Sequence, residues 1–179
     1  MLEDRLLIWK FKAGDSAALA RIYDKYKKPL LRIATGLLNQ DSSAEDIVHD
    51  VFLWLAQSPE KVRLHGNLRS FLATCVVNRV RNLNRTGRQR QKNAQQNTGA
   101  AGSEYPEPER WIMANEQRAK LNDRLARLPE QQREVVILHL QGGMRFREIA
   151  KSQDASINTV LSRYRYGLEK LKSLLNGEV

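Results

Sequence analysis

Apolar residues in this chain recur at steps of three and four, and strand-like period-2 alternation is absent. That spacing puts apolar side chains on one stripe of a helix and cannot fill one face of a strand. The chain is therefore expected to be all-α. A first strong helix, capped by Asp15 or Ser16, carries the stripe Leu19, Ile22, Tyr23, Tyr26, Leu30, Ile33, Ala34 and Leu37. Pro29 lies within it, where its missing donor should kink or divide the helix. Ser42 and Glu45 fit a capping box for a second helix, with Ala44, Ile47, Val48, Val51, Phe52 and Leu55 on its apolar side. A third begins near Asn67 and buries Leu68, Phe71, Leu72, Cys75, Val76, Val80 and Leu83.

After Arg85 the composition changes. Residues 86–109 are rich in Gln, Asn, Gly, Ala and Pro, and Tyr105 is their only large apolar residue. Such a stretch buries too little apolar surface to offset its ordering entropy and reads as a linker. The expected layout is two small helical domains, residues 1–88 and 111–179, joined by a flexible linker at 89–110.

The charge is uneven. The formal net charge is +10 and the pI about 10.0, yet residues 1–60 hold eight Lys/Arg against nine Asp/Glu. Residues 61–92 hold nine basic residues and no acid, and residues 145–179 hold seven basic and four acidic. Two basic zones around a balanced middle suggest two contacts with one polyanion. Cys75 is the single cysteine, so no intrachain disulfide or cysteine zinc site is expected. The opening Met1-Leu2-Glu3-Asp4-Arg5 lacks the apolar core of a signal peptide, and no stretch has a membrane span's run of apolar residues. A cytoplasmic protein without membrane insertion is the expectation. No phosphate-binding loop, paired metal-ligand spacing or Ser-His-Asp arrangement is readable, and His49, His65 and His139 are scattered. No catalytic residue, metal or cofactor is expected, and an enzyme is not.

The sharpest motif lies near the end. Leu128-Pro129-Glu130 suits a helix start, Gln141-Gly142-Gly143 a stop, and Phe146–Ala150 a short second helix. The turn Gln153–Ser156 then leads into a helix from Thr159 to about Leu175, capped by Ser156 or Asn158. A short helix, a turn and a longer helix with polar and basic residues near its start make a helix-turn-helix. Its second helix meets base edges and phosphates. Asn158, Thr159, Ser162, Arg163 and Arg165 have suitable chemistry, and Val160, Tyr164, Leu168 and Leu171 should pack inward.

Phe146-Arg147-Glu148-Ile149-Ala150 followed by Asn158-Thr159-Val160-Leu161-Ser162-Arg163 resembles the "Y-x-E-I-A … G-T-V-K-S-R" signature of sigma factor region 4. Leu128-Pro129-Glu130-Gln131-Gln132-Arg133 resembles the "L-P-x-x-x-R" that opens it. Here Asn158 stands where glycine is usual, Leu161 where lysine is usual, and Gln153-Asp154 replaces Leu-Gly in the turn. Ala44-Glu45-Asp46-Ile47-Val48-His49-Asp50-Val51-Phe52-Leu53 resembles the "A-E-D-L-V-Q-E-x-F-L" of region 2. Phe71-Leu72 through Asn78 and Arg85 is similar to its "W-L-x-x-x-A-x-N … R", and Gly14–Leu19 with Tyr26 to the opening of extracytoplasmic-function sigma factors.

The resemblance implies a factor that binds core RNA polymerase and directs promoter-specific initiation. It places Asp46, His49 and Asp50 against the clamp helices of the largest subunit. Asn78, Arg79, Arg81, Asn82 and Arg85 would handle the −10 element, with the arginines on the backbone and the asparagines nearer the bases. The C-terminal helix-turn-helix would read the −35 element of promoter DNA. An anti-sigma factor is the further partner it implies. A stand-alone helix-turn-helix regulator is the alternative; it leaves the acidic helix and the second basic zone unexplained.

Overall fold

The structure, a computed structural model, describes residues 2–38, 43–62, 64, 67–94 and 120–176. Among them all regular structure is helical. The helices are α1 (Leu2–Lys12), α2 (Ser16–Leu37), α3 (Ala44–Gln57), α4 (Leu68–Ala94), α5 (120–126), α6 (Glu130–Leu140), α7 (Phe146–Ser152) and α8 (Ile157–Asn176). A single 3-10 turn, Pro59–Lys61, follows α3.

Local chemistry sets the helix starts. Asp15 caps α2, its carboxylate accepting from the Ala17 and Ala18 amides at 2.9 and 3.3 Å. For α3 the cap is Ser43 and not Ser42, which lies outside the described residues. The Ser43 hydroxyl accepts from the Asp46 amide at 3.3 Å, so Asp46 occupies the third helical position. Asn67 opens α4, its side-chain oxygen accepting from the Ser70 amide at 2.7 Å. Ser156 opens α8 by accepting from the Thr159 amide at 3.0 Å, which leaves Asn158 inside the first turn.

Two elements run further than the sequence predicts. α2 passes undivided through Pro29. The buried residues on either side, Ile22 and Tyr26 before it and Leu30 and Ile33 after it, hold both halves to the same core. Their burial outweighs the roughly 3 kcal/mol that an interior proline costs. α4 continues to Ala94, into the stretch read as linker, because Arg, Gln and Lys are good helix formers even without an apolar stripe. The rest of the expected linker and the expected start at residue 111 lie outside the described residues.

The core is continuous. Leu30, Ile33, Ile47, Leu55, Leu68 and Leu72 of the first half and Ile137, Leu138, Met144 and Ile149 of the second are fully buried in one cluster. α2 lies against α1, α3 and α4, and also against α6. At that last contact Gly36 faces Ile137; a Cβ there would stand 2.8 Å from the isoleucine Cδ1. α6 and α8 approach in the same way, at Gly167 against Val136.

Candidate nucleic-acid and polymerase interface

α8 turns Val160, Gly167 and Leu171 into the core and leaves Asn158, Thr159, Ser162 and Arg165 exposed. Those four share an outward-facing surface at the start of the helix, the part that enters a major groove in helix-turn-helix proteins. Arg163 is different. It is half-buried, and its guanidinium donates to the Gln153 side-chain oxygen at 2.8 Å, so it braces the turn. Arg165 lies over the exposed Tyr166 ring and donates to its hydroxyl at 3.1 Å. The turn itself is held by Asp154, at φ 48, in the left-handed region that favours the glycine usual in the signature it resembles. Behind it His139 and Phe146 stack, with ring centroids 4.2 Å apart, and Tyr164 meets both rings edge-on at 5.0 and 5.1 Å. His139 Nδ1 donates to the Met144 carbonyl at 2.9 Å and fixes α6 to the loop before α7.

In the first half, α3 buries Ile47, Val48, Val51, Phe52 and Leu55 and exposes Asp46 and His49. Asp50 is half-buried and already engaged: Arg79 Nε donates to its carboxylate at 3.0 Å. A residue read as facing polymerase and one read as facing DNA are therefore paired with each other. Between them runs an open groove of about 510 Å³ lined by Asp50, Leu53, Trp54, Cys75, Asn78, Arg79 and Asn82. Leu53 and Trp54 are exposed on its rim. The sequence carried the signal for this groove, since both residues fall off the buried stripe of α3. Burial pushes the Cys75 thiol up to about 11.

Asn78, Asn82 and Arg85 are exposed on α4. Arg81 is not free. Its Nε donates to Glu134 Oε2 at 2.8 Å, a second guanidinium nitrogen pairs with Glu134 Oε1, and a third donates to the Ser152 carbonyl at 3.1 Å. Glu134 also accepts from Gln153, the residue that holds Arg163. One polar chain thus runs from α4 through α6 to the start of α8.

A second link joins the N-termini of α4 and α7. Glu148 caps α7 by accepting from the Arg145 amide at 2.8 Å, and its other oxygen accepts from Asn67 and Ser70, each at 3.0 Å. Arg69 adds a bond to the Gln141 carbonyl at 2.8 Å. None of these contacts between the halves has a periodic signature. No group of three or more His, Cys, Asp or Glu residues that could hold a metal occurs among the described residues.

Comparison with known proteins gives this geometry its context. The Sigma-70 region 2 family model matches residues 22–90, and the Sigma-70 region 4 model matches residues 118–171. The RNA polymerase sigma factor NccH of Alcaligenes xylosoxydans xylosoxydans is 27% identical, covering 96% of this chain and 94% of its own. CnrH of Cupriavidus metallidurans is 24% identical over 98% and 95%. The fold matches that of CnrH, solved in complex with the cytosolic domain of CnrY, at TM-score 0.75 and 20% identity, over 99% of both chains. It also matches the sigma factor RpoE of Bartonella quintana, solved with the anti-sigma factor NepR, at TM-score 0.63 and 21% identity, over 87% and 97%. Regions 2 and 4 of one family, matched in order over well over half of a helical chain of this length, place the protein in the sigma-70 family, among its extracytoplasmic-function sigma factors.

Proposed function

We propose that this sigma factor divides promoter recognition between two exposed helical faces. α8 reads the −35 element through Asn158, Thr159, Ser162 and Arg165, with Arg163 fixing the turn that presents them. Asn78, Arg79, Arg81, Asn82 and Arg85 of α4 handle the −10 element within the acid-free basic zone. Asp46 and His49 of α3 meet the core polymerase, and Asp50 both joins them and orients Arg79. Residues 1–94, to the end of α4, and 111–179 are the two working domains, and the residues between them form the connection. The observation that carries this reading is the exposure of three polar faces at the positions the family motifs indicate, each opposite a buried stripe.

The factor supplies recognition and no catalysis of its own, and it acts in the cytoplasm with core polymerase. Among the described residues no helix is long and apolar enough to cross a membrane. An anti-sigma factor is its natural regulator. The groove beside Leu53 and Trp54, with apolar rim and charged walls, suits an amphipathic segment of such a partner.

Titration of the labelled chain with core polymerase tests the division of labour. Asp46→Ala with His49→Ala should weaken core binding about tenfold without lowering the melting temperature. Asn158→Ala with Arg165→Ala should leave core binding intact and remove the dependence of transcription on the −35 sequence. If the α3 pair leaves core affinity unchanged, the assignment of that face is wrong.

A further inference from the structure

Near its start the recognition helix displays two apolar side chains that its packing only partly covers. Ile157 is 40% exposed and Leu161 42% exposed, one helical turn apart. Val160, Gly167 and Leu171 mark the inward side of α8, and Leu161 lies outside it, flanking the face that carries Asn158 and Arg165. Bare apolar surface beside the polar reading face has a specific use in a major groove. Every hydrogen-bonding base edge there loses water when an aliphatic side chain covers it. The C5-methyl of thymine is the apolar group on those edges, and aliphatic contact with it is favourable.

We infer that Ile157 and Leu161 read thymine methyl groups in the −35 element, so that this factor selects thymine at two positions by apolar contact. This rests on α8 being the recognition helix. Asn158 lies beside them, and its side-chain amide can take the N6 and N7 edge of adenine. The element is therefore A·T-rich where the start of α8 enters the groove. Leucine at 161 replaces a charge-based phosphate contact with a base-selective one, which trades salt-dependent affinity for specificity.

The test uses the full chain assembled with core polymerase. A promoter library randomised across both elements is selected for stable complexes, and thymines of the enriched −35 element are replaced singly by deoxyuridine, which lacks only the methyl. Replacement at a contacted position should weaken the complex about fourfold, the worth of one buried methyl-sized group. Leu161→Ala should abolish that penalty at one position and Ile157→Ala at the other, with melting temperatures lowered by no more than a few degrees because both side chains are partly covered. An enriched element without thymine overturns the inference. So does one in which every deoxyuridine is tolerated within experimental error, or one whose penalty survives both variants; each of these outcomes leaves the −35 reading standing. A library that yields no enriched −35 element overturns both.

Discussion

Arg81 of α4 and Glu134 of α6 form a two-pronged ion pair between residues 53 apart in the sequence. The Glu134 side chain is only 5% exposed and that of Arg81 35%. The carboxylate depends on its partner more than the guanidinium does, because it is the more desolvated of the two. Arg81→Ala leaves that carboxylate buried and should cost about 2 kcal/mol, less than for a fully buried pair because Arg81 is partly hydrated. Glu134→Gln, which can still accept one bond, should cost less. The double variant should cost less than the sum, and urea denaturation of all four proteins measures the difference. In the proposed handling of the −10 element, this pair would compete with DNA for Arg81. Glu134→Gln should strengthen binding of a single-stranded −10 oligonucleotide severalfold, and Arg81→Ala should weaken it; equal affinities would remove Arg81 from the DNA contacts.

Gly36 sets how closely α2 approaches α6. Its missing Cβ leaves room for Ile137 Cδ1, which would otherwise stand 2.8 Å away. Gly36→Leu should overpack this contact and cost about 1–3 kcal/mol. Ile137→Ala in the same chain should recover part of that loss, because it opens the space the leucine needs. Thermal melting of the single and double variants decides the matter, and absence of recovery would mean the strain lies elsewhere.

Asp154 holds the helix-turn-helix turn at positive φ. Aspartate tolerates that region better than branched residues do, and glycine better still. Asp154→Gly should therefore be no less stable than the parent, and Asp154→Val should be less stable by about 2 kcal/mol. A valine variant as stable as the parent would show that the turn relaxes to another conformation.

Cys75 gives a pH signature. Burial raises its thiol to about 11, so thiolate is scarce at neutral pH. The thiolate is the reactive form. Alkylation at pH 8 should run about a hundredfold slower than for an unhindered thiol of ordinary pKa, and should rise about tenfold per pH unit up to about pH 10. A rate that levels off near pH 8.5 would place the sulfur in water.

The helical content, the buried stripes and the helix-turn-helix were all legible in the sequence, because each is written in residues three or four apart; the start of α2 was legible too, but the choice of Asp15 over Ser16 as its cap was not. The cap at Ser43 sits one residue from where the Ser42–Glu45 pattern put it, since two adjacent serines offer the same chemistry and only backbone geometry chooses between them. The boundary after Arg85 followed composition, whereas α4 follows helix propensity through Arg, Gln and Lys to Ala94. Arg81 was legible as a cation on a polar face, but its partner Glu134 was not. Likewise Glu148 was recognisable as a motif residue, yet its bonds to Asn67 and Ser70 join positions about eighty apart. Such pairs depend on how the two halves pack, which local periodicity does not encode.

Transcription in vitro with core RNA polymerase and a genomic fragment library tests the central claim most directly. The full chain should direct transcripts from defined start sites that share a −10 and a −35 element, and core polymerase alone should not. Transcription indistinguishable from that of core alone, with the chain folded and the core active, would contradict the assignment of this protein as a promoter-directing sigma factor.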